Sequence, residues 1–218
     1  MTSCSWRRYS GVAIIVMSGL AAFACSQPEP SSSSPASSGS AASGSASSAP
    51  KVEADKPFAP GGRITLTLAA GGYDVRASGD GHIRVTLDHD IGDTKVDVTT
   101  TDDHAEVVVK DTPQRNFHAT IEVPKTSDIV TRLTAGELIV AAITGNKDLE
   151  NLAGNVTVNV SDPTEYGEVD AQLKAGDIDA SAFGGSKSGL FPHFTWSGPG
   201  KFKLRVSQGA GNLVLRKG

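Results

Sequence analysis

The stretch LTAGELIVAA at 133–142 returns forty residues later as LKAGDIDASA at 173–182. Shorter relatives, LAGNVTV at 152–158 and GAGNLVL at 209–215, share the centre Ala-Gly-(Glu/Asn/Asp)-(Leu/Val/Ile), and LAAGGYDV at 68–75 matches with one extra residue. Their common glycines are Gly71, Gly136, Gly154, Gly176 and Gly211, separated by 65, 18, 22 and 35 residues. A repeat near twenty residues, with multiples and insertions, is what stacked coils produce when each holds a strand and a tight bend. Such a coil cannot bury its apolar face alone, so the repeat constrains the fold more than any other feature.

After each glycine the apolar residues alternate: Leu138 and Val140, Val156 and Val158, Ile178 and Ala180, Leu213 and Leu215. Period two over a few residues is the pattern of a half-buried strand. RITLTL (63–68), HIRVTL (82–87), KVDVTT (95–100), AEVVVK (105–110), HATIEV (118–123) and KLRVS (203–207) read the same way. No run of ten or more residues has helical periodicity, and glycine and Asx residues separate the strands. The expected fold is all-β: a single-chain β-solenoid, a parallel β-helix-like roll. A β-sandwich is the alternative and suits the first half, to about Val123, but it gives no reason for a repeated glycine turn.

IEVPKTSDIVTRLTAGELIVAAITGNKDLENLAGNVTVNV and LKAGDIDASAFGGSKSGLFPHFTWSGPGKFKLRVSQGAGNLVLR resemble the bacterial putative-adhesin domain family of unknown function. Its members carry recurrent Ala-Gly-Asp coils in exported proteins. The resemblance covers most of 61–216 and implies a β-solenoid. It brings no catalytic or binding position with it.

The first 24 residues read as an export signal: Arg7 and Arg8, an apolar run from Gly11, then Ala22-Phe23-Ala24 before the cut. The next residue is Cys25, and Leu20-Ala21-Ala22-Phe23-Ala24-Cys25 resembles the lipobox of bacterial lipoproteins, with Ala22 where that family usually has leucine. The resemblance implies a lipid on Cys25; ordinary cleavage leaving a free cysteine is the alternative. Cys4 and Cys25 are the only cysteines, so the folded part is expected to hold neither a disulfide nor a reactive thiolate. Residues 26–50 contain twelve serines among twenty-five, the rest nearly all Ala, Pro and Gly. Such a segment cannot bury enough apolar surface to offset its ordering entropy, so a flexible tether reaching about 25 to 30 Å is expected.

The remaining 51–218 is the length of one domain and carries 18 basic and 23 acidic residues. A mildly acidic surface without a basic block excludes nucleic acid as the natural partner. Glu137, Asn155, Asp177 and Asn212 follow the repeat glycines and form a candidate ladder of oxygen ligands. The glycine-rich nonapeptide of calcium coils is absent, so they read as bend residues and no metal is assigned. Asp88-His89-Asp90 and Asp102-Asp103-His104 lie between strands and lack the three or four converging groups a metal requires. GPGKF (198–202) lacks the spacing and hydroxyl of a phosphate loop, and GSKSG (185–189) has lysine where a nucleophile elbow needs serine.

The segment FGGSKSGLFPHFTWSGPGKF at 183–202 interrupts the repeat and holds five of the nine aromatic residues beyond Ala24. It reads as a cap over the end of the coils, and His193, Phe194 and Trp196 are its candidate ligand or partner surface. The functional expectation is an exported, lipid-anchored protein of the bacterial cell envelope, on the outer membrane in a two-membrane cell. Its module would be non-catalytic, without cofactor, and would bind an envelope protein or polysaccharide. A polysaccharide-active enzyme on a β-helix and an envelope sensor or scaffold are the alternatives.

Overall fold

The computed structural model describes residues 50–88, 93–113 and 115–218. The expected signal, Cys25 and the tether up to residue 49 lie outside them. Fourteen strands follow in order: β1 (Lys51–Pro57), β2 (Arg63–Leu68), β3 (Gly71–Ser78), β4 (His82–Leu87), β5 (Lys95–Thr100), β6 (His104–Lys110) and β7 (His118–Pro124) make the first half. The second half is β8 (Asp128–Leu133), β9 (Gly136–Val140), β10 (Lys147–Val160), β11 (Tyr166–Ala180), β12 (Gly185–Leu190), β13 (His193–Ser197) and β14 (Phe202–Lys217). The described residues contain only two short 3-10 turns besides, Pro163–Glu165 and Ser181–Phe183.

All fourteen strands belong to one sheet, which folds over on itself into a roll with two wings. The long strands β10, β11 and β14 pass through the fold, which is why the wings stay continuous. On one wing β5, β6, β2 and β8 are followed by the first halves of β10, β14 and β11, and β13 ends the row. On the other, β1, β4, β7, β3 and β9 are followed by the second halves of the same three strands, and β12 ends the row. Each coil is a strand, a bend and a strand, paired in parallel with its neighbours. The expected solenoid-like roll is the observed architecture.

The coils do not stack in chain order, which the repeat alone did not convey. From one end the order is β6–β7, β2–β3, β8–β9, β10, β14, β11. Strands β12 and β13 run antiparallel along one side of β11 and occupy it. The chain returning from them can add in parallel only on β11's other side, against β10. That detour is the 35-residue gap between Gly176 and Gly211. The 65-residue gap after Gly71 likewise contains a hidden coil, β6–β7, in which Phe117 stands level with the glycines.

The glycines form a ladder through the bend: Gly71, Gly136, Gly154, Gly211 and Gly176 are successive cross-strand partners. Gly136, Gly154, Gly211 and Gly176 have φ of +125°, +125°, +127° and +132°, where a side chain is strained. A Cβ on Gly154 would lie 1.8 Å from the Gly136 carbonyl oxygen, and one on Gly211 1.7 Å from that of Gly154. The bend is thus built by backbone lying directly on backbone. At the open end the Phe117 ring covers Gly71 and packs on Tyr73, with ring centroids 5.5 Å apart. Gly71 also pairs directly with Gly136, and Tyr73 with Leu138, so LAAGGYDV aligns without the expected extra residue.

The alternating residues after each glycine fill the interior, as Leu138, Val156, Leu213 and Ile178 do in adjacent coils. Each such burial contributes about 1.5–3 kcal/mol before the entropy of ordering is set against it. Both ends of the stack are antiparallel and carry features that oppose further pairing. In β1 the register shifts between Val52 and Ala54, and Pro57 ends the strand. In β12 Lys187 stands opposite the buried Ile178, which places a charge on the core side of an edge strand.

Candidate functional site

A groove of about 600 Å³ runs along the outer side of the bend, across the coils from β2 to the β12–β13 cap. Its depth follows from the sequence of the bend. One residue after the inner strand position the coils carry Thr134, Leu152, Gly209 and Lys174, and Phe191 follows in the cap. Gly209 has no side chain and lies against the Leu152 carbonyl, so a gap opens between Leu152 and the cap. Leu152 is 69% exposed and Phe191 75%, giving the groove two apolar walls. Phe191 also has φ of +53°, a conformation rare for an aromatic residue.

Two of the charged side chains lining the groove have ion-pair partners. Arg132 Nε lies 3.5 Å from Glu150, and His193 Nε2 lies 3.0 Å from Asp170. Asn151 and Gln208 also line it and are both buried, at 3% exposure. Gln208 Nε2 donates to the carbonyls of Gly154 and Ala210 at 2.6 and 3.2 Å, while its Oε1 has no partner. Neither the Nδ2 nor the Oδ1 of Asn151 is hydrogen-bonded.

The three residues expected to form a surface are separated by the strand alternation of β13. His193 faces the groove. Phe194 points inward opposite Ala171 and is 7% exposed, with its ring against Gly185. Trp196, opposite Val169, is half-buried and packs on Phe183 with centroids 4.9 Å apart. Phe183 in turn meets the Tyr166 ring edge-on at 5.9 Å. Most of the aromatic segment therefore closes the core beneath β11, and Phe191 at its tip reaches the surface. Leu152, Asn151 and Gln208 were not singled out from sequence, although a signal was present. Aligned on their glycines, the coils read Leu68, Leu133, Asn151, Gln208 and Leu173 three residues earlier, so two carboxamides replace leucine in a repeated apolar position.

The other candidate clusters resolve into local structure. Asn155 and Asn212 stack as amides, Asn212 Nδ2 donating to Asn155 Oδ1 at 3.2 Å, with Glu137 and Asp177 as their outer neighbours. Asp102 and Asp103 sit in the β5–β6 turn, where Asp103's carbonyl accepts from Arg63 N at 2.9 Å. Of Asp88-His89-Asp90, only Asp88 is among the described residues; its carboxylate lies 2.8 Å from His118 Nδ1. Among the described residues no three His, Cys, Asp or Glu side chains form a group able to hold a metal ion.

One buried cation lies on the opposite side of the roll from the bend. Lys147 occupies an inward position between Ile129 and Leu204 and is 2% exposed. Its Nζ donates to the carbonyls of Ile143 and Gly145, at 2.5 and 3.3 Å, and to the Tyr166 hydroxyl at 2.7 Å. Burial lowers its pKa to about 8, and burial raises that of Tyr166 to about 12. Lys147 ties the 141–146 connection to the start of β11, a structural use of an ammonium group.

No family model and no curated protein matches the chain. Among solved structures, it is similar to a "putative cell adhesion protein" from Clostridium sporogenes ATCC 15579, at 14% identity over 78% of this chain and 100% of that one, with a TM-score of 0.49. A "putative lipid binding protein" from Parabacteroides distasonis ATCC 8503 shares 10% identity over 51% of this chain and 58% of that one, with a TM-score of 0.28. A "putative adhesin" from Bacteroides fragilis NCTC 9343 shares 11% identity over 76% of this chain and 96% of that one, with a TM-score of 0.24.

Proposed function

We propose that the chain is a lipid-anchored protein of the bacterial cell envelope, whose single domain at 51–218 is a non-catalytic binding or adhesive module. The observation that carries the binding part is the bend groove, with exposed Leu152 and Phe191 beside the polar side chains of Lys174 and His193. Such a mixture suits holding a ligand, since apolar walls supply contact area and a few polar groups set orientation. The anchor part is supported by Ala22-Phe23-Ala24-Cys25 and the serine-rich 26–50 that follows. No helix among the described residues is long and apolar enough to cross a membrane. Membership of the putative-adhesin family is part of the same proposal, and it rests on the chain's own repeated coils.

The place of β1 at an edge of the roll fits this reading. The chain enters the roll through β1, at one end of a wing whose other end is β12. With nine strands in that row and a spacing of about 4.8 Å, the cap stands roughly 38 Å from the tethered edge. Metabolic labelling with a palmitate analogue tests the anchor: the wild-type chain should take up label and stay with the membrane fraction, and Cys25→Ser should lose both. Membrane retention of Cys25→Ser would refute it.

A further inference from the structure

The cap is itself a coil with an open side. Strands β12 and β13 follow β11 antiparallel on either side of the bend, and among the described strands each pairs with β11 alone. Leu173 N donates to the Pro192 carbonyl and Gly198 N to the Gly167 carbonyl, so Phe194 and Trp196, which alternate with these, turn their backbone groups to β11. The backbone N–H and C=O groups of His193, Thr195 and Ser197 therefore point away from it. All three residues are exposed, and such a row of donors and acceptors is a template for another strand.

The other edges of the sheet are protected, and β13 is not. Strand β1 has its register shift and Pro57, β12 has Lys187 on its core side, and β5 runs close to β1 and carries exposed Lys95 and Asp97. Strand β13, HFTWS, keeps an unbroken register with β11 and contains no proline, lysine, arginine or carboxylate. From Ala180 to Gly218 the chain has no Asp or Glu at all, in a protein of net charge −4. Two copies of an acidic chain meet with least repulsion through an acid-free strand.

The occupant that fits is β13 of a second copy. In an antiparallel pair only outward-facing residues bond one another, and centring on Thr195 is the register that uses the whole strand. Thr195 then meets its own counterpart and His193 meets Ser197 at both ends, giving about six backbone hydrogen bonds. Phe194 faces Trp196 of the second copy on the core side, in the non-hydrogen-bonded pairs where side chains lie closest. Trp196 is half-buried against Phe183, so its open side gains a neighbour. Each strand offers the other the same surface, as a two-fold interface requires.

We propose that two copies of the chain join cap to cap, β13 against β13, antiparallel and centred on Thr195. Lys187 keeps the β12 half of the same edge out of the contact. The pairing stands apart from the anchor and groove readings, since neither Cys25 nor Leu152 takes part. Five residues a side is far below the about 20–30 of a stable interface, so association in solution is expected at roughly 0.1–1 mM.

The test is sedimentation equilibrium of the full mature chain carrying Cys25→Ser, so that no acyl chain contributes. Thr195→Lys and Thr195→Glu each set like charges opposite one another at the two-fold axis, and each should weaken self-association about tenfold. Thr195 is exposed and its backbone faces away from β11, so the melting temperature of both should hold. An equimolar mixture of the two should associate again, to within about threefold of the Cys25→Ser chain, because opposite charges now meet. Misfolded variants would not restore one another, so the mixture also controls for folding. A Cys25→Ser chain that stays monomeric at about 1 mM overturns the proposal and leaves the edge to another occupant or to none. A dimer that Thr195→Lys leaves intact, or a mixture that fails to associate, overturns it by placing the contact on a different surface.

Discussion

The glycine ladder allows two costs of a methyl group to be measured separately. At Gly154 both apply: φ is +125°, and a Cβ would sit 1.8 Å from the Gly136 carbonyl oxygen. Ordinary contact begins near 3.4 Å, so coils β9 and β10 would have to part by about 1.5 Å at that point. Backbone bonds of about 2.9 Å would stretch beyond bonding range over the nearest two or three pairs, at roughly 1 kcal/mol each. The φ strain adds about 1–3 kcal/mol. Gly154→Ala should therefore lose about 3–6 kcal/mol, much of the 5–15 kcal/mol that typically holds a domain together.

Two other glycines supply the controls. Gly189 has φ of +111° but nothing within 4 Å of a built Cβ, so Gly189→Ala should show the strain alone, about 1–3 kcal/mol. Gly79 has neither a positive φ nor a neighbour within 4 Å, and Gly79→Ala should be neutral or gain up to about 1 kcal/mol by restricting the unfolded chain. Urea unfolding of the mature proteins, followed by Trp196 fluorescence and circular dichroism, gives the three values. If Gly154→Ala and Gly189→Ala lost the same free energy, close backbone approach would not be what the ladder protects, and the reasoning would fail.

Lys147 makes stability depend on pH. With its folded pKa lowered to about 8 from 10.5, the unfolded chain holds this proton more tightly, so its contribution to stability rises as pH climbs above 8. The gain reaches roughly 2–3 kcal/mol by pH 10. Above that, the raised pKa values of buried Tyr73 and Tyr166 act oppositely, and stability falls as the unfolded tyrosines ionise. Lys147→Met should flatten the pH 8 to 10 rise in urea midpoints; an unchanged slope would show that another group causes it. Lys187→Val should turn the core side of β12 into an apolar edge opposite Ile178 and promote self-association, read by sedimentation. A variant that stayed monomeric at high concentration would remove Lys187 from the role of edge guard.

What the sequence discloses follows the range of the interaction involved. Alternation after each glycine is local, and Leu138, Val156, Ile178 and Leu213 are buried where period two puts them. The bend is local as well, because a glycine with φ near +125° serves the same purpose in each coil. Neighbour choice between coils is not local. Every coil presents a similar row of aliphatic residues on its inner face and an equivalent backbone ladder on its edge, so no pair of segments names its partner. The β6–β7 coil escapes a glycine search because Phe117 fills the ladder position with an aromatic ring.

The site divides in the same way. An aromatic-rich break in the repeat was legible, but whether a ring serves the core or the surface depends on which side of β13 it leaves. Opposite Ala171 and Val169, the rings of Phe194 and Trp196 turn inward, while His193 turns out to the groove. The more telling departure lay inside the repeat. Asn151 and Gln208 replace leucine at aligned positions, and their meaning emerged only when the fold put β10 and β14 side by side. Chain order separates them by 57 residues; the stack makes them neighbours, and two isolated substitutions become one polar break in an apolar ladder. A repeat fold exposes such departures because each coil is a control for the next: the same position is packed with leucine three times over, so a carboxamide there needs a cause outside the packing.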